Sequence, residues 1–359
     1  MGALDIVPGG QVVSVIVPAR NEEECLGACL ESLAAQSGVR FEIIVVDDAS
    51  TDHTREIALS FPSVRVVNAG PPPPGWTGKN NAMVAGAEVA RGEWFLFTDA
   101  DTVHKPGSLA RAAAEARQRA AVLLSYSPEQ EVHGFWEKAV MPVIFGELAA
   151  TYQPSQVSDP RAPAAAANGQ YILILREAYD AVGGHAAVST SLLEDVALAR
   201  AVKSSGRKIF FRYGADAVRT RMYRTFAQLC EGWTKNLALL FPSPARLALL
   251  RLIEFVLIAG GFAATIATSL RGHVKTALAA AILGATVYAL FLKRIRRAHF
   301  PRRVNALSLL GLPLFSYLLF RSWLSHKKGS VSWKGRTYGR STNHVGADAL
   351  VRPAERSSA

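Results

Sequence analysis

Along the N-terminal part of the chain, short dense apolar runs alternate with stretches whose hydrophobic residues recur at helical spacing. Val12–Pro18 is a β-rich run, followed by Ala19-Arg20-Asn21 and three glutamates. Asn21 is expected to cap a helix whose first turn carries Glu22, Glu23 and Glu24, a charge that suits this end of the helix dipole. That helix should run to about Gln36 and stop at Ser37-Gly38. Phe41–Val46 reads as a second buried strand ending at Asp47-Asp48, Ala49–Asp52 as the start of a helix, and Val64–Val67 as a third strand. A proline-rich loop, Pro71–Pro74, leads through Gly75-Trp76-Thr77-Gly78-Lys79 into a helix reaching Ala90. Trp94–Thr98 is then the strand that ends at Asp99. Strands alternating with helices predict an α/β fold, Rossmann-like, with a mostly parallel sheet and helices on both faces. Ligands of such sheets sit beyond the carboxyl ends of the strands. Asp47, Asp48, Asp99 and Asp101 all fall at that edge.

Residues 151–167, rich in Pro, Ala and Ser, read as a mobile loop. Asn168–Leu175 resumes a strand, Gly183-Gly184-His185 is a turn, and Leu192–Ser205 is a helix opening at Glu194-Asp195. Phe226–Leu240 is a further helix, ending before Pro242. Three apolar stretches follow, at 252–270, 276–292 and 304–320. A 17-residue helix spans about 26 Å, just short of a hydrocarbon core of about 30 Å, so flanking arginines would have to snorkel to cover the rest. The pattern divides the chain into a catalytic domain over 1–240, a transmembrane region over 241–325 and a basic, flexible tail over 326–359.

Charge sharpens the membrane reading. The net charge is +11, but twelve of the forty Lys and Arg lie in 293–340, where there is no acid, leaving 28 bases against 29 acids elsewhere. The excess flanks the apolar segments, which fits anionic headgroups and the positive-inside bias rather than nucleic acid. Three full spans would leave the two basic stretches on opposite sides of the membrane. Either the positive-inside bias does not hold here, or one segment, with Gly311-Leu312-Pro313 a candidate, is re-entrant or interfacial and the tail cytoplasmic, the reading preferred. Residues 1–11 lack the basic start and apolar core of a secretory signal, so the N-terminal part is expected in the cytoplasm. Three cysteines exclude a disulfide framework, and Cys29 falls on an apolar helical stripe.

The chemistry lies in the carboxylates. Asp99 and Asp101 at a strand edge suit a hard divalent cation that arrives with substrate phosphates. A separate carboxylate at Glu194-Asp195 supplies what general-base chemistry beside that metal needs. Lys79, after Gly78 at a helix start, is placed to pair with phosphate. Simpler roles stand beside these: Asp47-Asp48 as a strand-end turn, Asp99 or Asp101 as a helix cap, Glu194-Asp195 as an ordinary acidic helix start.

With these residues in place, the chain resembles family 2 glycosyltransferases of the GT-A fold over roughly residues 12–240. The resemblance rests on five motifs in order: Val-Pro-Ala-Arg-Asn-Glu-Glu (17–23), Val-Asp-Asp-Ala-Ser (46–50), Thr-Asp-Ala-Asp (98–101), Gly-Gly-His (183–185) and Leu-Glu-Asp-Val (193–196). Pro-Pro-Gly-Trp-Thr-Gly-Lys (73–79) and Trp-Lys-Gly-Arg-Thr-Tyr (333–338) narrow it towards membrane-associated members that glycosylate lipids such as hopanoids, carotenoids and ceramides. The resemblance implies that Pro18, Arg20, Glu22, Asp47, Asp48, Lys79, Asp99 and Trp233 bind the nucleotide-sugar, with Asp48 at the uracil or ribose. It implies Mg²⁺ or Mn²⁺ on Asp101 with Asp99 nearer the ribose, Asp195 as general base beside Glu194, and inversion at the anomeric carbon. It further implies a lipid acceptor, and a multi-pass protein of the inner membrane whose catalytic domain faces the cytoplasm.

Polymerising members carry Gln-x-x-Arg-Trp, where this chain has Gln228-Leu229-Cys230-Glu231-Gly232-Trp233, which favours transfer of a single sugar. The alternatives are a polyprenyl-phosphate or polysaccharide-type glycosyltransferase of the same fold, a nucleotidyltransferase, and a membrane transport subunit. A nucleotidyltransferase needs a Gly-rich phosphate loop where Pro18-Ala19-Arg20-Asn21 stands. A transporter needs paired intramembrane charges, for which only Glu254 qualifies.

Overall fold

The structure, a computed structural model, describes residues 12–333 and 336–338. In chain order the elements are β1 (Val12–Ala19), α1 (Leu26–Ala34), β2 (Arg40–Asp47), α2 (Thr54–Leu59), β3 (Val64–Asn68), α3 (Gly78–Val89), β4 (Trp94–Phe97), β5 (Thr102–His104), α4 (Ser108–Gln118), β6 (Leu123–Ser127), β7 (Glu129–Gln130) and α5 (Phe135–Thr151). They continue with α6 (Pro154–Ser158), β8 (Ile172–Leu175), α7 (Arg176–Ala181), α8 (Gly184–Ala187), α9 (Glu194–Ser204), β9 (Ile209–Tyr213) and β10 (Val218–Thr220). The last are α10 (Phe226–Leu240), α11 (Pro244–Leu270), α12 (Val274–Ile295), α13 (Arg302–Asn305), α14 (Ser308–Lys328), β11 (Val331–Trp333) and β12 (Arg336–Tyr338). They form two compact units, one over 1–131 and 152–222, the other over 132–151 and from 223 onward. Helix α5 therefore groups with the C-terminal helices, although it lies inside the stretch that reads as catalytic domain.

The first unit is built on a seven-stranded sheet in the order β3-β2-β1-β4-β8-β6-β9. All neighbours run parallel except β8, which is antiparallel to both β4 and β6, so the sheet is mostly parallel, as the alternation implied. Side chains alternate between its faces. Val13, Val15, Val17, Ile43, Val45 and Leu96 pack with Leu26, Leu30 and Leu33 of α1 and Leu109 and Ala112 of α4. Ile16, Ile44, Val46, Phe95 and Phe97 pack on the other face with Met83 of α3 and Leu198, Ala199 and Val202 of α9. Cys29 lies fully buried among the first set, and burial pushes its thiol far above the usual range. A three-stranded sheet, β5-β10-β7, stands beside the larger one.

Three local expectations change. Asn21 does not cap α1: its backbone is left-handed, with φ 52°, a region Asn tolerates better than most residues. Its Oδ1 accepts from Thr51 N at 2.9 Å, Glu23 accepts from His53 N at 3.1 Å, and α1 begins only at Leu26 with no acid in its first turn. The glutamates thus help to tie two loops together rather than charge a helix end. Helix α2 likewise starts later than expected, at Thr54, whose N–H donates to Asp52 Oδ1 at 3.0 Å. The stretch 151–167 is no mobile loop. It holds α6, buries Val157 and Ala165–Ala167, and is pinned by Lys203, whose ammonium donates to the carbonyls of Val157 at 2.7 Å and Ala164 at 2.5 Å.

In the second unit α14 packs against α5, α10 and α11. The approach is closest at Gly311, where a Cβ would lie 2.0 Å from Ala139 O, so no side chain fits. On α5, Val140 and Ile144 are buried while Phe135 and Trp136 stay nearly half exposed, Trp136 in ring contact with Phe226 of α10. Among the described residues, α11 and the 25-residue stretch Val274–Ala298 are long and apolar enough to cross a membrane. The third apolar stretch falls largely in α14, which buries Leu312, Phe315, Leu318 and Leu319 within this unit and carries Arg321. Two candidate spans therefore replace three. Glu254 has the charge partners that the sequence did not reveal: Arg294 meets it at 2.6 Å and Arg251 at 3.0 Å. The parts of the tail at 334–335 and 339–359, and the first eleven residues, lie outside the described residues.

Candidate active site

Strands β1 and β2 run in register, with Pro18 beside Val46 and Ala19 beside Asp47, which brings two loops to the same edge. Asp48 N donates to Ala19 O at 2.9 Å, and Arg20 Nη1 donates to Asp48 O at 2.7 Å. Asp47 Oδ1 accepts from Ser50 N at 3.1 Å, fixing the turn after β2, and Glu22 N donates to Thr54 Oγ1 at 2.7 Å. Pro18, Arg20, Glu22, Asp47 and Asp48 therefore share one corner of the sheet edge, with both aspartates buried.

Strand β4 delivers the next group. Thr98 continues its line with an N–H to Ile16 O at 3.1 Å, and its hydroxyl donates to Gln170 O at 2.8 Å. Asp99 follows, its carbonyl accepting from Thr102 N at 3.2 Å, while Thr220 Oγ1 donates to Asp101 O at 3.1 Å. Helix α4 starts only at Ser108 behind Gly107, so neither aspartate caps it.

Lys79 joins the two carboxylate clusters. From the first turn of α3 its Nζ lies 2.7 Å from Asp99 Oδ1 and 2.7 Å from Glu194 Oε1. Burial works against the ammonium, but Asp99 and Glu194 outweigh it and hold its proton well above the usual lysine range. Asp195 follows at the start of α9, its Oδ1 accepting from Val196 N at 2.8 Å and its Oδ2 from Gly169 N at 2.9 Å. Burial, then the Glu194 charge, push its carboxyl up to about 6, against the pull of Lys79 and those two N–H groups. A partly buried carboxylate held near neutrality has the proton affinity of a general base.

Gly169 is a site residue that the sequence did not disclose. A Cβ there would stand 3.1 Å from Lys79 Nζ and 3.6 Å from Asp195 Oδ2, so any side chain at this position would press on the Lys79 ammonium. No local signal marks it, because its role depends on α3 and α9 meeting. His185 is buried beneath the cluster's elements rather than exposed in a turn: Tyr179 OH lies 3.1 Å from its Nδ1, and burial, then Lys79, push its proton affinity down to about 3. Gly184 before it has φ 52°, and a Cβ there would lie 2.4 Å from the Tyr179 ring. Trp233 belongs to the other unit, buried in α10 with its indole N–H directed at Met141 Sδ, 3.4 Å away.

Residues 14–183 match the family model described as Glycosyl transferase family 2. The 4,4'-diaponeurosporenoate glycosyltransferase of Staphylococcus aureus (strain USA300) is 29% identical over 343 residues, covering 91% of this chain and 88% of that protein. The solved structure of the mannosyltransferase PcManGT from Pyrobaculum calidifontis, in complex with GDP-Man and Mn2+, superposes with a TM-score of 0.51 at 18% identity, covering 90% of each chain. Over residues 14–183 the chain thus resembles family 2 of the glycosyl transferases, on the GT-A fold, and it is a glycosyltransferase.

Proposed function

We propose that the chain transfers a single sugar from a UDP-linked donor to a hydroxyl of a membrane lipid, inverting the anomeric carbon. The observation that carries this reading is Lys79, one ammonium holding Asp99 and Glu194 at 2.7 Å each and so coupling the two motifs that the reaction must bring together. In this assignment Pro18, Arg20, Glu22, Asp47 and Asp48 line the nucleotide end, with Asp48 at the uracil or ribose and Asp99 nearer the ribose. Trp233, with its N–H directed at Met141, is left out of the donor set.

Asp101, with Asp99 beside it, suits Mg²⁺ or Mn²⁺. The donors are hard carboxylate oxygens, and among the described residues no three His, Cys, Asp or Glu gather as a cage. Such an ion keeps its remaining positions for substrate phosphate. Bound there, it supplies charge stabilisation for the departing diphosphate. Lys79 contributes a fixed positive charge to the same region. Asp195 accepts the acceptor's hydroxyl proton while that oxygen forms the new bond to the anomeric carbon. The bond from that carbon to the nucleoside diphosphate breaks on the opposite face.

The lipid acceptor is supported by the carotenoid-type relative and by the apolar side chains that α11 and α12 expose, Val256, Ile266, Leu278 and Ile282 among them. With two spans, residues 293–303 and the basic stretch after Arg321 fall on one side, in keeping with a cytoplasmic catalytic domain at the inner membrane. Membranes containing the protein, incubated with radiolabelled UDP-sugars, should yield label extractable into organic solvent and abolished by excess EDTA. Label confined to the aqueous phase would overturn the lipid acceptor, and full activity in EDTA would overturn the metal.

A further inference from the structure

Next to Lys79 in α3 stands Asn80, a completely buried side chain that no step above uses. Its Nδ2 lies 3.1 Å from Val188 O, 3.0 Å from Ser189 O and 3.1 Å from Ser191 O, so two N–H hydrogens are shared among three carbonyls. Thr77 N donates to the same Ser189 O at 2.9 Å, and Thr77 Oγ1 accepts from Asn80 N at 3.1 Å. The segment 188–193 is neither helix nor strand. It buries Ser191, Leu192 and Leu193 and passes directly into Glu194, the first residue of α9.

We infer that Asn80 is a positioning residue for sugar transfer, clamping the 188–193 loop onto the start of α3 and so setting where Glu194 and Asp195 stand relative to Lys79 and Asp99. The inference rests on the reading of Asp195 as the base. Consecutive residues of α3 then hold the acceptor side in two ways, Lys79 gripping Glu194 by charge and Asn80 gripping the backbone ahead of it. An amide suits this position. It donates to carbonyls without adding charge near Asp195, which already feels Glu194 and Lys79. An ionised carboxylate of the same shape only accepts, and would face three acceptors.

Asn80→Asp and Asn80→Ser test this in the full-length protein. The probes are UDP-glucose as donor and phosphatidylglycerol vesicles carrying zeaxanthin, a carotenoid with free hydroxyls, as acceptor, with UDP affinity measured separately by calorimetry. Asn80→Asp should lower kcat per UDP-binding site by roughly ten- to a hundredfold, the scale of a small misplacement of reacting groups. UDP affinity should stay within about twofold, and the acid limb of the kcat profile should move, a change that mere loss of folded protein does not cause. Asn80→Ser, which keeps a shorter donor, should lose less. Wild-type kcat and an unmoved limb in folded Asn80→Asp would overturn the inference, as would a loss confined to UDP affinity. Failure of both variants to fold would also overturn it, leaving Asn80 a residue of stability alone. Asp195→Asn in the same assay separates the two readings: activity there removes the base, whereas an inactive Asp195→Asn beside a wild-type-like Asn80→Asp removes only the clamp.

Discussion

Each unit of this protein holds a group of four buried or partly buried charged side chains, and the two groups are built on opposite terms. In the second unit two acids and two arginines close on one another. Arg294 takes Glu254 with both terminal nitrogens, at 2.9 and 2.6 Å, while Glu147 Oε1 lies 2.6 Å from Arg294 Nε and 2.9 Å from Arg251 Nε. Charge balances, and the four residues tie α5, α11 and α12 together. In the first unit three carboxylates face the single ammonium of Lys79, which pairs with Asp99 and Glu194 and acts on Asp195 by its charge. Burial first, then the unbalanced charge of Glu194, raises the proton affinity of Asp195. A balanced group stabilises one arrangement of helices; an unbalanced one is reactive, because a proton or cation has something to gain by entering it.

The largest effect should come from the unbalanced group. Asp195→Asn keeps the shape and one of the two N–H contacts but removes the base, and transfer should fall by about 10²–10⁴-fold with UDP binding retained. Turnover close to wild type would remove the distinction between the groups. The balanced group should answer in stability instead. Arg294→Met leaves Glu147 and Glu254 buried with Arg251 alone between them, and loss of one partner from such a pair costs about 3–5 kcal/mol. Thermal unfolding in detergent should show that loss. An unchanged midpoint would mean that the four residues contribute little to the bundle.

How much of this the sequence discloses depends on how local each feature is. The start of α9 at Glu194 and the span of α10, Phe226–Leu240, agree with the pattern, because capping and periodicity are written within a few residues. Thr225 and Gln228 form the capping box there. The strand-edge aspartates were legible for the same reason. What escaped is what distant segments decide. Lys79 pairs with two carboxylates from separate segments, and Asn21 spends its side chain on the neighbouring loop. Lys203 orders a Pro- and Ala-rich stretch that composition alone marks as mobile. The third apolar segment, the one that carries Gly311-Leu312-Pro313, is mostly α14, and Leu312, Phe315, Leu318 and Leu319 are buried in its own unit.

The smallest effects test the electrostatics inside the reactive group, with two substitutions that should pull in opposite directions. Asp195 works as a base only when ionised, so transfer should be present above its pKa, about 6, and be lost as pH falls through it. Lys79 favours the ionised form, and Lys79→Met should therefore carry the acid limb to higher pH, by about one unit for a charge at this range. Glu194 disfavours it, and Glu194→Gln should carry the limb to lower pH, by more, because Glu194 is the larger of the two charges acting on Asp195 and its loss also frees Lys79 from one partner. The pH dependence of kcat/KM for each variant measures both shifts, and their signs matter more than their sizes. Limbs moving the same way would mean that the residues act on the donor rather than on Asp195. Opposite movements would locate the charge imbalance, and with it the chemistry, at that one carboxylate.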